Sequence, residues 1–118
     1  MVSLRVSQIN GCAMCVDIHT KHLAHEGEDA VRINLVAAWR EATVYTEPER
    51  AALELAEAAT RIADASGGVP DEVWTAAAEH YDEDGLTALV SLIALMNAMN
   101  RLNVSVRSPA GSYVVGQF

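Results

Sequence analysis

Aromatic side chains are scarce in this chain: two Trp, three Tyr and one Phe in 118 residues. An aromatic-rich β sandwich is a poor fit to that composition. An apolar half made mostly of Ala, Leu and Val favours closely packed helices instead. Basic residues are also few, eight Lys and Arg against sixteen Asp and Glu, for a formal charge of -8 and a pI near 4.8. Arg5, Lys21, Arg32, Arg40, Arg50, Arg61, Arg101 and Arg107 are scattered along the chain and form no cluster. An acidic surface without a basic patch repels phosphate backbones, so a nucleic-acid partner is excluded. Long apolar runs are missing too. Leu86 to Met99 is broken by Thr87, Ser91 and Asn97 and falls short of the roughly 20 residues that span a bilayer, so no membrane partner is expected. The opening "MVSLRVSQIN" has no secretory character. Two cysteines are too few for a disulfide-stapled secreted mini-domain. These absences point to a cytoplasmic protein with one domain, residues 1–118, and a small but real core.

There is no βαβ alternation, no Gly-rich phosphate loop and no internal repeat. The patterning is helical throughout, and the expected class is all-α. Val2 to Ile9 alternates apolar and polar residues, a pattern that fits a helix or a strand. After the break at Asn10-Gly11, Cys12, Cys15, Ile18/His19 and His22/Leu23 recur at helical spacing to about His25, and Gly27 ends the segment. A third helix is expected over Glu28 to Ala38 with Val31, Leu35 and Ala38 on one stripe. Thr46, Pro48 and Glu49 read as a capping box opening a helix to about Ala65, which Gly67-Gly68 stops. Pro70 with Asp71 and Glu72 opens a helix to about Tyr81, and Asp82 to Asp84 opens the last and longest, to about Asn103. That last helix is apolar on most sides over Leu86 to Met96 and needs cover all round, so a homo-oligomer is expected.

The chemistry concentrates in "SQINGCAMCVDIHTKH", Ser7 to His22. Cys12 and Cys15, three residues apart on one helix, share a face and lie within bonding reach. They follow the Asn-Gly break, where unpaired N–H groups and the helix dipole stabilise a thiolate. His19 stands one turn beyond Cys15 and can carry a proton. Two other readings stand beside this redox reading. The cysteines can be inert core residues. Alternatively, Cys12, Cys15 and His19, with His22 or His25, can be zinc ligands. A structural zinc site draws its ligands from two separated knuckles, whereas these share one helix and His80 is remote, so the redox reading ranks first. His22 and His25 by themselves read as solvated, and His80 as a surface or interhelical residue. A thioredoxin site needs strands that this sequence does not offer.

The stretch "LRVSQINGCAMCVDIHTKHL", Leu4 to Leu23, resembles the signature of the alkylhydroperoxidase D-like branch of the carboxymuconolactone decarboxylase family. The likeness runs on through "WREATVYTEPERAALELAEAAT", "GVPDEVW" and "EHYDEDGLTALVSLIALMNAMNRLNVSVR", so it covers nearly the whole chain. The resemblance implies a compact domain of about six helices that assembles as trimers or hexamers. It implies a thiol peroxidase or thiol–disulfide reductant activity, with Cys15 attacking peroxide, Cys12 resolving and His19 relaying protons. The partners implied are a hydroperoxide and an external thiol reductant, protein or small dithiol, with no cofactor and no metal. Some members carry a histidine where Met14 stands. The family pattern places its relay glutamate just ahead of Met1, so the chain reads as a short form without the family's N-terminal segment; neither Arg5 nor Gln8 can act as a general base. Two alternatives follow: a redox-sensing or disulfide-exchange module without efficient peroxide turnover, and a non-enzymatic helical oligomer with a structural or metal-binding cysteine pair.

Overall fold

A computed structural model describes residues 1–118 as six α-helices and one short 3-10 turn, with no strand. The helices are α1 (Val2–Ile9), α2 (Ala13–His25), α3 (Ala30–Leu35), α4 (Glu47–Thr60), α5 (Asp71–His80) and α6 (Glu83–Ser105). The ambiguous first segment is a helix because it is the centre of the molecule: α1 packs against α2, α4 and α6. Leu4, Val6 and Ser7 are fully shut from solvent. A strand there would leave its ladder groups unpaired inside the core.

Two apolar clusters flank α1. Val6 joins Leu55 and Ala56 of α4, Val73 and Ala77 of α5, and Leu89 and Ile93 of α6. Leu4 joins Ile33, Val36, Trp39, Tyr45 and Leu53. Helix α4 thus buries two sides, with Leu53 in one cluster and Leu55 in the other. Burying each leucine is worth about 1.5–3 kcal/mol, and Ala51, Ala52 and Ala56 let neighbouring backbones approach. The capping box expected from Thr46 and Glu49 forms in both directions.

Three element boundaries depart from the sequence pattern. Helix α4 ends at Thr60, and residues 61–69 form turns. The third helix begins at Ala30, where Asp29 caps Val31 and Arg32 N–H, and it tightens to a 3-10 turn over Val36–Ala38. Its core-facing residues are Ile33 and Val36, while Val31, Leu35 and Ala38 are exposed, so the stripe expected there is corrected to a different face. Helix α6 is longer than the apolar segment that defines it: it has 23 residues, and an 18-residue stretch of it reaches a mean hydropathy of 1.3, so by length and composition alone it would suffice to cross a membrane. One face of it joins the core through Leu89, Ile93 and Asn100.

The C-terminal segment is no free tail. It returns across α2, where Asp17 Oδ2 accepts N–H bonds from Gly111 (2.7 Å) and Tyr113 (3.4 Å). Lys21 Nζ donates to the Tyr113 carbonyl (2.8 Å).

Candidate functional site

The turn between α1 and α2 delivers Cys12 to the end of α2. Gly11 takes φ +65°, a conformation that costs a residue with a Cβ but not glycine. Asn10 and Gly11 N–H bond back to the Val6 and Gln8 carbonyls, and Cys12 N–H donates to the Ser7 carbonyl (3.0 Å). Cys12 is then the N-cap residue of α2, extended at φ -83°, ψ 94°, and its Sγ accepts the Cys15 N–H at 3.3 Å. A sulfur in this place receives the otherwise unpaired amide hydrogens and the positive end of the helix dipole, which favour its thiolate form. The sequence placed the pair at a helix start; the structure shows which cysteine caps it.

Cys12 and Cys15 are joined by a disulfide with their Cα atoms 5.3 Å apart. Both are nearly shut from solvent in the single chain, Cys12 at 1% and Cys15 at 4% exposure. Burial opposes ionisation of a thiol while the helix end favours it, so the two effects compete at this site. His19, four residues after Cys15, is half-buried on the same helix. Its pKa lies below the ordinary 6.5, chiefly because burial disfavours the imidazolium, with the N-terminal ammonium and His22 adding positive charge nearby. The ring is therefore a neutral base at neutral pH. None of the groups that shift its pKa is a carboxylate.

The other singled-out residues are elsewhere engaged or free. Asp17 is committed to the returning C-terminal segment and to Lys21 at 2.7 Å, and these contacts hold its carboxyl below the usual range. His22, expected to be solvated, instead packs its ring against Tyr113 (centroids 5.6 Å apart) with Nε2 2.6 Å from the phenol oxygen. His25 and His80 are exposed. Arg5 pairs with Glu57 at 2.7 Å and leaves no basic function at the site. No three His, Cys, Asp or Glu side chains converge to hold a metal ion. A cleft of about 560 Å³ lies between α5 and α6 against Trp74, Tyr81, Leu86 and Val90, and none of Cys12, Cys15 and His19 lines it.

Sequence reasoning passed over a polar set beside the dithiol turn. Asn10 is bonded to Asn97 and Asn100 of α6, and Asn100 to Ser7 of α1. Its signal was present in "MNAMNRLN", where carboxamides at Asn97 and Asn100 interrupt an otherwise apolar face at helical spacing.

The profile of the carboxymuconolactone decarboxylase family matches residues 1–58, the half that holds Cys12, Cys15 and His19. YdfG of Bacillus subtilis, an uncharacterised protein, is 42% identical over 112 residues, which is 95% of this chain and 75% of YdfG. YnjA of Escherichia coli, also uncharacterised, is 36% identical over 110 residues, 93% of this chain and 59% of YnjA. A crystal structure from Agrobacterium tumefaciens superposes with a TM-score of 0.89 at 39% identity, covering 95% of this chain and 75% of that one. That protein is described as of unknown function and provisionally as the antioxidant defence protein AhpD.

Proposed function

This chain is an AhpD-like member of the carboxymuconolactone decarboxylase family, and from that premise we propose that it is a thiol-dependent peroxidase of antioxidant defence. The observation that carries the reading is the pairing of a helix-capping Cys12 with Cys15 in one disulfide, one turn from a neutral His19. In the reduced protein the Cys15 thiolate attacks the distal oxygen of a hydroperoxide. The O–O bond breaks, the alcohol leaves with a proton, and Cys15 becomes a sulfenic acid. Cys12 then attacks that sulfur, water leaves, and the disulfide forms. An external dithiol restores the pair by exchange and is itself oxidised. His19 takes the proton from a thiol and returns it to the departing oxygen. The residues need no cofactor for these steps. A cytoplasmic setting, where a reducing thiol pool maintains such pairs, fits this chemistry.

The test measures hydroperoxide consumption with a dithiol donor. Cys15→Ser is expected to abolish turnover, and a variant rate equal to the wild type would sink the assignment. A second reading, disulfide exchange or redox sensing without efficient peroxide turnover, is favoured by one feature: none of the groups that shift the His19 pKa is a carboxylate that could pass its proton on. In that case the protein exchanges with dithiols while hydroperoxide stays unconsumed.

The same reading includes a homo-oligomer, a trimer or hexamer. Leu92, Leu95, Met99, Leu102 and Val106 are all exposed and recur at alternating three- and four-residue steps. That spacing is the seam of a helix meant for another helix.

A further inference from the structure

The side chains that hold the turn before Cys12 are more polar than packing requires. Ser7 and Asn100 are 0% exposed. Asn10 Nδ2 donates to Asn97 Oδ1 and to Asn100 Oδ1, each at 3.0 Å. Asn100 Nδ2 donates to Ser7 Oγ at 3.1 Å, and Ser7 Oγ donates to the Ser3 carbonyl at 2.8 Å. The Ser7 carbonyl is the acceptor of the Cys12 N–H. Asn97 is itself fixed, its Nδ2 donating to Thr60 Oγ1 (3.2 Å) and the Ile93 carbonyl (2.9 Å), and its Oδ1 also accepting from Arg101 (3.0 Å). No buried side-chain polar atom in the molecule lacks a partner.

Replacing both partners of a buried hydrogen bond by apolar groups of the same shape is often neutral for stability. A fully satisfied polar network adds a single defined geometry instead. The geometry held here is that of Asn10-Gly11-Cys12. In the oxidised protein the covalent bond to Cys15 already keeps the Cys12 sulfur over the helix end. Reduction removes that tether. The sulfur then stays over the α2 amides only as far as the turn keeps it there.

We propose that Asn10, held by Asn97 and Asn100 of α6, is the positioning residue that keeps the Cys12 sulfur at the N-cap of α2 in the reduced protein, and that this clamp sets the redox potential of the dithiol. The proposal deepens the reading of the pair as redox-active and rests on it. The relevant equilibrium is exchange with glutathione. Two glutathione thiols and the protein disulfide give the protein dithiol and glutathione disulfide. The Cys12–Cys15 bond breaks, one glutathione S–S bond forms, and the two protons pass from the glutathione thiols to the protein sulfurs or to solvent. A Cys12 thiolate stabilised by the helix end lowers the free energy of the reduced side, which makes the protein a better oxidant. Loosening the clamp therefore shifts the protein toward the disulfide.

The experiment equilibrates the wild type, Asn10→Ala and Asn100→Ala with glutathione buffers at pH 7 and counts free thiols by alkylation and mass. The expected result is a reduction equilibrium constant about tenfold lower in both variants, about 30 mV for a two-electron couple. In a Cys15→Ser background, the pH dependence of alkylation should show the Cys12 pKa raised by Asn10→Ala. Val73→Ala, a core truncation on α5, is the stability control and should leave both readouts unchanged. Asn10 is only partly buried, so its alanine variant carries the test if Asn100→Ala does not fold. An unchanged potential and Cys12 pKa in folded Asn10→Ala, or an equal shift in Val73→Ala, would overturn the proposal. Neither readout uses peroxide. A protein that consumes none still supports the clamp if the shifts appear, and an active peroxidase with unshifted values refutes the clamp alone.

Discussion

Burial depresses the His19 pKa, and the N-terminal ammonium and His22 depress it further. The unfolded chain binds a proton at His19 at a higher pH than the folded chain does. Stability from this group is therefore fully present above its ordinary 6.5 and is lost as pH falls through the lower folded value. His19→Gln should flatten the decline of the thermal midpoint below pH 6.5; an unaltered slope would show that the ring is not held neutral. The same variant should slow peroxide consumption on the order of a hundredfold at pH 7, the usual worth of a positioned general base. At this scale the sequence was informative about which residues lie together, because cysteines three apart with a histidine one turn on share a helix face whatever surrounds them. It was silent on their burial and on which sulfur caps α2, since both depend on how α1 turns into α2.

Helix α4 shows how much one residue can hold. Glu49 returns the cap to Thr46 N–H (2.8 Å) and also binds Arg32, which pairs with Glu28 at 2.9 Å and reaches the Val44 carbonyl. The Arg32 guanidinium is the main reason the Glu49 carboxyl falls from 4.5 to about 2. A depressed carboxyl contributes stability above its unfolded pKa and loses it as pH falls toward the folded one. Glu49→Gln should therefore weaken the acid-induced loss of stability between about pH 4.5 and 2, seen in the denaturation midpoint across that range. Thr46→Ala should cost about 1 kcal/mol in denaturant unfolding; no measurable cost would mean that the box is dispensable. This element was legible because a capping box is a local pattern. The end of α4 was not. The apolar spacing continues to Ala65, yet Ile62 is exposed and the chain leaves the core at Thr60, a decision made by where α5 must begin to pack.

For the whole molecule, the exposed side of α6 carries the sharpest expectation. If the seam at Leu92, Leu95, Met99 and Leu102 joins copies of this chain, Leu95→Glu should convert the assembly to monomer in sedimentation velocity while leaving the helical circular dichroism intact. A wild-type protein that sediments only as monomer at micromolar concentration would remove the oligomer. The returning C-terminal segment belongs to this scale as well. Nothing in "SPAGSYVVGQF" announces that Tyr113 is buried, because its partners, Asp17, Lys21 and His22, lie over ninety residues away.

The sequence by itself determined the helical class, most helix starts and the nearness of Cys12 to Cys15. These follow from short-range causes: residue spacing on a helix, caps within four residues, and the compositional lack of strands or basic patches. Tertiary structure decided the rest. It made Val2–Ile9 a central helix by burying it between two clusters, and it drew Asn97 and Asn100 across some ninety residues onto Asn10. It also closed both sulfurs off from water in the single chain. Contacts between distant segments have no local signature, because their free energy arises only when separate helices exclude solvent together.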